Sequence, residues 1–153
     1  MCGEENVRMK TLSKRNPNWI EHYRYLELKN FCLQYPKWCD AVRALDSLSK
    51  RPGDIVIFQC RNGQSPVERC AEAREFYIRR IEMVQKAAET AADDLAIYIL
   101  SGVTTGDSYE TVNARMDVPC CREKYYEAYR RFFYILDDLR ENYKPYNDNN
   151  NNF

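Results

Sequence analysis

The chain has 153 residues, which is enough for one domain with its own hydrophobic core. Its 23 basic and 23 acidic side chains give a net charge of zero, so no long-range field draws the whole chain to nucleic acid or membrane. Any such partner would need a local patch. No apolar run approaches the roughly 20 residues of a membrane span, and the start MCGEENVRMK lacks a signal peptide's apolar stretch. The composition therefore predicts a cytoplasmic protein with no membrane partner.

Seven cysteines and one histidine raise the question of a metal or redox site. The cysteines are irregularly spaced and include no CxxC pair, and His22 is the only histidine that could join them. Zinc motifs need paired ligands at short, regular spacing. The pattern therefore favours reduced cytosolic thiols, with no metal and no cofactor.

The chain divides into three predicted parts. Residues 1–17 are polar and partly basic, which predicts a flexible basic arm. Residues 18–143 show helical periodicity and predict a single all-α domain, a helical hairpin or bundle. Residues 144–153 are rich in asparagine and are expected to be disordered.

Two helices are expected in the first third of the chain. The first is predicted from Asn18 to about Tyr35, because Pro36 disfavours its continuation. The second follows from about Pro36 to the Pro-Gly turn at 52–53. Residues 55–58, IVIF, lack a strand partner and are interpreted as a packed loop. The side chains expected to be buried by the second helix are Trp38, Val42, Leu45 and Leu48.

A long helix is predicted after the segment Ser65-Pro66-Val67-Glu68. Serine can cap a helix, proline suits its first position, and glutamate at the third position can complete a capping box. The helix is expected to reach about Thr90 and to pack along another long helix. Together with the stripe from Trp19 to Leu33, it is a candidate homodimer interface. Its seven-residue repeat consists of Val67, Cys70, Arg74, Tyr77, Ile81, Val84 and Ala88.

The region from about 94 to 139 has the layout of a helix-turn-helix unit. The proline at 119 cannot continue a preceding helix, so a tight turn is expected there. The third helix of the unit would follow that turn, with Cys120 near its cap. The predicted order is a helix over 94–100, a loop over 103–106, a second helix capped by Asp107 and Glu110, a turn over 117–119, and a third helix from Cys120 or Cys121.

The third helix of this unit divides into two faces. Apolar side chains recur at steps of four and three and predict a continuous buried seam. The other face is polar: from Cys121 to Tyr134 there are four bases and two acids, a local excess of two positive charges. The predicted seam consists of Tyr125, Tyr129, Phe132, Leu136, Leu139 and Tyr143.

The polar face is compatible with two interpretations. In a helix-turn-helix the first turns of the second motif helix enter the major groove, where arginine pairs with guanine and tyrosine or lysine holds phosphates. Alternatively, Glu127 pairs with Arg130 and Arg131 on a solvated face. The pattern alone favours the two equally. The candidate residues for binding double-stranded DNA are Arg115, Arg122, Lys124, Tyr126, Arg130 and Arg131.

Two segments carry a family resemblance: YLELKNFCLQYPKW near the start and SYETVNARMDVPCCREKYYEAYRRFFYILDDLR near the end. They resemble small phage and prophage proteins of Gram-positive bacteria, relatives of the RinA and ArpU late-transcription regulators, over most of residues 22–140. The resemblance implies a helical protein that ends in a helix-turn-helix. The chain departs from the pattern at IVIFQC after Asp54 and at Cys121 beside Cys120. Matching positions are Ser108 and Tyr109 at the start of the second motif helix, Pro119 and Cys120 in the turn, and Tyr125, Tyr126, Arg130 and Arg131 in the recognition helix.

Two functional hypotheses follow, and an enzyme is not expected. The first is a DNA-binding transcriptional regulator of a phage or prophage. The second is a phage protein that binds or inhibits a host protein, such as RNA polymerase or a defence enzyme, without contacting DNA. No phosphate-binding glycine loop, HExxH or GxSxG is present, and His22 has no catalytic partner at motif spacing.

Overall fold

A computed structural model describes residues 13–49, 63 and 65–142. The secondary structure of these residues is helical and contains no strand, so the predicted all-α class is confirmed. Most of the basic arm, the loop at 55–58 and the asparagine-rich tail lie outside the described residues. The helices are α1 (His22–Leu33), α2 (Tyr35–Ser49), α3 (Pro66–Ala91), a short 3-10 helix (Asp93–Leu95), α4 (Ala96–Thr105), α5 (Tyr109–Met116) and α6 (Arg122–Glu141).

Helix α1 starts later than predicted. The side chain of Glu21 accepts a hydrogen bond from the backbone N–H of Arg24, at 3.1 Å, and so caps the helix at His22. Trp19 therefore precedes the helix, and the predicted start at Asn18 is wrong. Pro36 lies in the first turn of α2, where its missing N–H leaves no intrahelical bond unmade.

Helices α2 and α3 form an antiparallel hairpin. Gln85 donates to the Tyr35 hydroxyl at 2.9 Å near one end, and Arg74 Nε lies 2.5 Å from Asp46 Oδ1 towards the other. Trp38, at the inner end, is buried as predicted. Leu48 is 40% exposed, so its predicted burial is wrong. This leucine lies at the outer end of α2, beyond the region where α3 meets the rest of the bundle.

The start of α3 follows the predicted capping box. Ser65 Oγ accepts from the Glu68 N–H at 3.2 Å, and the Glu68 carboxylate accepts from the Ser65 N–H at 3.3 Å. Pro66 is the first helical residue. The predicted apolar repeat is buried only towards the end of the helix. Val67 is 62% exposed, whereas Val84 and Ala88 are fully buried. The fully buried side chains of α3 are Val84, Ala87, Ala88 and Ala91.

The core lies where the second half of α3 and α1 meet α4 and α6. Helix α6 supplies its largest fully buried side chains, which include Tyr125, Phe132 and Phe133. Within the described ranges, no helix combines the length and the apolar character that a bilayer crossing requires.

The link between α4 and α5 differs from the prediction. Helix α4 continues to Thr105 and ends at Gly106, whose φ of 77° is left-handed. Val103 and Thr104 are therefore buried helical residues, and the predicted loop at 103–106 is wrong. The Thr104 hydroxyl donates to the Leu100 carbonyl at 2.7 Å, which satisfies it inside the core.

The caps of α5 and α6 also differ from the predicted ones. Ser108, not Asp107, caps α5, by accepting from the Thr111 N–H at 3.4 Å. Helix α5 ends at Asp117 in the left-handed region, with φ 55°. Cys121 is the N-cap residue of α6 and makes no capping hydrogen bond with its side chain, so Cys120 is not the cap. The turn predicted between the two helices is present.

Candidate nucleic-acid interface

The apolar seam of α6 is formed as predicted over most of its length. Tyr125, Tyr129, Phe132 and Leu136 are buried, and Leu139 is half-buried; Tyr143 lies outside the described residues. Phe133 is also buried, although it was not predicted. It follows Tyr129 by four residues, so a wider stripe would have included it. The seam uses most of the aromatic side chains of α6 for packing.

A set of tyrosine hydrogen bonds joins the start of α5 to the start of α6. The Tyr126 hydroxyl accepts from the backbone N–H of Tyr109 at 3.1 Å. In return, the Tyr109 hydroxyl donates to the Cys120 carbonyl at 2.7 Å. Tyr126 is therefore half-buried against α5. Its predicted position on the polar face implied a freely exposed side chain, which the structure does not show. Its ring is available to support a neighbouring side chain.

Helices α4 and α6 approach closely at Gly102. A Cβ atom at this position would overlap the hydroxyl of Tyr125. That hydroxyl is buried and has no hydrogen-bond partner in the described structure, and burial raises the pKa of Tyr125. No sequence motif indicated this contact, because it joins residues on separate helices. The absence of a side chain at Gly102 therefore allows α6 to pack close to α4.

Arg115, at the end of α5, contacts the α4–α5 junction. Its guanidinium donates to Asp107 Oδ2 at 2.9 Å and to Ser101 Oγ at 2.7 Å. Asp107 also accepts from the Thr105 hydroxyl at 2.8 Å. The Arg115 hydrogen bond, followed by the Thr105 one, lowers the pKa of Asp107. Arg115 thus has a structural role at the α4–α5 junction.

Arg122 and Lys124, in the first turn of α6, each have an acidic neighbour. Arg122 Nη1 lies 3.1 Å from Glu110 Oε1, and its guanidinium carbon lies 5.5 Å from the centre of the Tyr126 ring. Lys124 Nζ lies 4.0 Å from Asp94 Oδ2. All four charged groups are more than half exposed, so water screens both pairs. The two cations remain accessible to an external anion.

Arg130 and Arg131 make no ion pair within the described residues. In particular, neither pairs with Glu127, so the ion pairs of the solvated-face interpretation are absent there. Arg131 is exposed, whereas Arg130 is half-buried and its Nε is buried without a hydrogen-bond partner. The positive charges of these two adjacent arginines are therefore not neutralised by any acidic side chain of the described residues.

Five of the six candidate residues therefore lie on the first three turns of α6, where Arg122 and Lys124 face acidic side chains of two different elements, Glu110 and Asp94. Helix α6 offers to a polyanion or a protein surface two screened cations, a tyrosine ring and two arginines that form no ion pair with any described residue. Among the described residues, no group of three or more His, Cys, Asp or Glu side chains could hold a metal ion. Comparison with protein-family models, with curated proteins and with solved structures finds no match for this chain.

Proposed function

We propose that the chain is a DNA-binding transcriptional regulator of a phage or prophage, in which α5 and α6 act as a helix-turn-helix. One observation carries the proposal: a short α5 and a tight turn lead into a long α6 with exposed Arg122 and Lys124 in its first turn. Base-reading side chains occupy this position in helix-turn-helix proteins. The resemblance of the two end segments to phage regulators supports the biological setting.

The charges of α6 are compatible with DNA binding of modest strength. A surface ion pair contributes about 0–1 kcal/mol, so a phosphate can replace the acidic partner of Lys124 at little cost. Arg130 and Arg131 have no acidic partner among the described residues that a phosphate would have to displace. If about two to four phosphates are neutralised, the logarithm of the binding constant should fall with that of salt concentration with a slope of about −2 to −4.

Binding to duplex DNA tests the proposal. A fluorescent pool of short duplexes with randomised centres should be retarded by the protein at low salt, and selection should enrich a defined site. Arg131→Glu should weaken binding to this site and reduce the salt slope, because it reverses a phosphate contact. Arg43→Glu is the matched control, since Arg43 is exposed on α2 and the charge change is the same. The proposal fails if no duplex is retarded, or if the two variants behave alike.

A protein-interaction factor is the second candidate. The observation that favours it is Tyr134, which is 45% exposed on the same helix face as Arg131 and Glu127. Tyrosine and arginine are frequent anchors of protein interfaces, and a face of mixed charge suits a protein better than a polyanion. Stoichiometric binding to purified host RNA polymerase, lost in Tyr134→Ala and accompanied by no DNA binding, would favour this function over the first.

A further inference from the structure

We propose that Glu110 is a positioning residue that holds Arg122 in the orientation required to read a guanine in the major groove. The inference rests on the proposed DNA-binding function. It assigns base reading to Arg122 and the orientation of Arg122 to Glu110. Glu110 was predicted only to cap α5. Ser108 caps that helix instead, which leaves the Glu110 carboxylate for Arg122.

The geometry leaves the reading edge of Arg122 open. The contact with Glu110 runs through the terminal nitrogen Nη1, which lies 3.1 Å from Glu110 Oε1. The guanidinium is planar and carries five N–H donors, so its Nε and Nη2 groups form a second edge. Guanine presents two acceptors, O6 and N7, at the spacing that such an edge matches. A carboxylate on one side of the guanidinium and a guanine on the other are therefore compatible.

The ring of Tyr126 gives Arg122 a second restraint. The guanidinium carbon lies 5.5 Å from the ring centre, and the Tyr126 hydroxyl accepts from the backbone N–H of Tyr109. Tyr109 and Glu110 are consecutive residues at the start of α5. One restraint on Arg122 is thus a residue of the first turn of α5, and the other is a ring of α6 whose hydroxyl is bonded to that same turn. A long, flexible side chain held in this way loses less conformational freedom when it binds.

The carboxylate also acts against binding without sequence preference. A negative charge beside the first turn of α6 repels phosphates, and it offsets the positive charge that Arg122 offers to any DNA. This repulsion weakens binding to every duplex, and at the selected site the oriented contact of Arg122 with guanine offsets it, so the difference between the two affinities increases. Arg122 and Glu110 are 54% and 57% exposed, so their pair adds little to folding and can be removed without loss of structure.

Variants of both residues test this role, with the duplex pool as the probe. The wild type should enrich guanine at one position of the selected site. Arg122→Lys keeps the charge but lacks the planar edge, so the guanine preference should fall roughly ten- to hundredfold while affinity for non-selected duplex stays the same. Glu110→Gln should reduce the preference about three- to tenfold. It should also raise affinity for non-selected duplex, which damage to the fold would not do.

Glu123→Gln is the matched control, because Glu123 is an exposed carboxylate in the first turn of α6, as Glu110 is in the first turn of α5. It should raise non-selected affinity and leave the guanine preference intact. An unchanged preference in Glu110→Gln, or a preference that does not depend on Arg122, would overturn the inference while the proposed function stands. Failure of the wild type to bind any duplex would remove both. In an Arg122→Lys background, Glu110→Gln should have no further effect on preference.

Discussion

The α4–α6 unit and the outer end of the α2–α3 hairpin both carry regular apolar stripes, yet only the first is a core. In the unit, Tyr125 and Phe132 are fully buried. At the outer end of the hairpin, Leu48, Val67 and Phe76 remain substantially exposed, so the described helices cover them only in part. Helix α6 packs against α1, α3, α4 and α5, whereas α2 packs mainly against α3. An apolar stripe becomes a core only where several elements cover it.

The largest expected effect separates these two regions directly. Phe132→Ala should lower the free energy of unfolding by about 3–5 kcal/mol, because it leaves a cavity among fully buried side chains. Val67→Ala also shortens an apolar side chain, but at an exposed position, and should change it by less than about 0.5 kcal/mol. Urea unfolding followed by circular dichroism measures both. Equal losses would contradict the contrast between core and outer end.

A second experiment sharpens the account of the unit at the α4–α6 contact. Gly102→Ala should destabilise the protein by about 1–3 kcal/mol, because the new Cβ meets the Tyr125 hydroxyl. Tyr125→Phe should be nearly neutral, since the buried hydroxyl it removes has no partner in the described structure. In the Tyr125→Phe background, Gly102→Ala should then be neutral or stabilising, because alanine favours a helix over glycine by about 1 kcal/mol. Thermal unfolding of the four proteins gives the coupling; simple additivity would exclude the contact as its cause.

The smallest expected effect concerns an ion-pair cluster between α1 and α6 and an ion pair at the outer end of the hairpin. Arg24 of α1 is half-buried and bonds Asp137 and Glu141 of α6 and Glu27 of its own helix. Arg24→Ala should therefore cost about 1 kcal/mol, since hydrogen bonds to charged groups are stronger than neutral ones. Arg74→Ala removes the half-exposed pair with Asp46 and should cost less than about 0.5 kcal/mol.

The Arg24 effect should depend on pH. Hydrogen bonds from Arg24, and then from Arg140, lower the pKa of Glu27 from its ordinary value of 4.5. A carboxylate with a lowered folded-state pKa stabilises the fold above the unfolded value, and this contribution is lost as pH falls through the folded value. The stability difference between wild type and Arg24→Ala should therefore shrink below pH 4.5. A difference that stays constant to pH 3 would show that packing, not charge, causes it.

Local features of the chain were predictable, and contacts between helices were not. The start of α3 followed from Ser65, Pro66 and Glu68, because a capping box involves only residues within one turn. Most of the α6 seam followed from its spacing. The approach of Gly102 to Tyr125 had no sequence signal, because it depends on how α4 and α6 pack. The predicted cap at Asp107 was wrong because a serine one residue later can fill the same role.

By itself, the sequence determined the all-helical class, the start of α3 and the side of α6 that faces the core. These depend on backbone propensity, capping and periodicity, which act over a few residues. Only the tertiary structure decided which cations of the candidate site are already neutralised. Arg115 bonds Asp107, Arg122 faces Glu110, and Arg131 has no ion pair within the described residues. Whether two charges eight or twelve residues apart meet depends on the packing of separate helices, and periodicity carries no information about it.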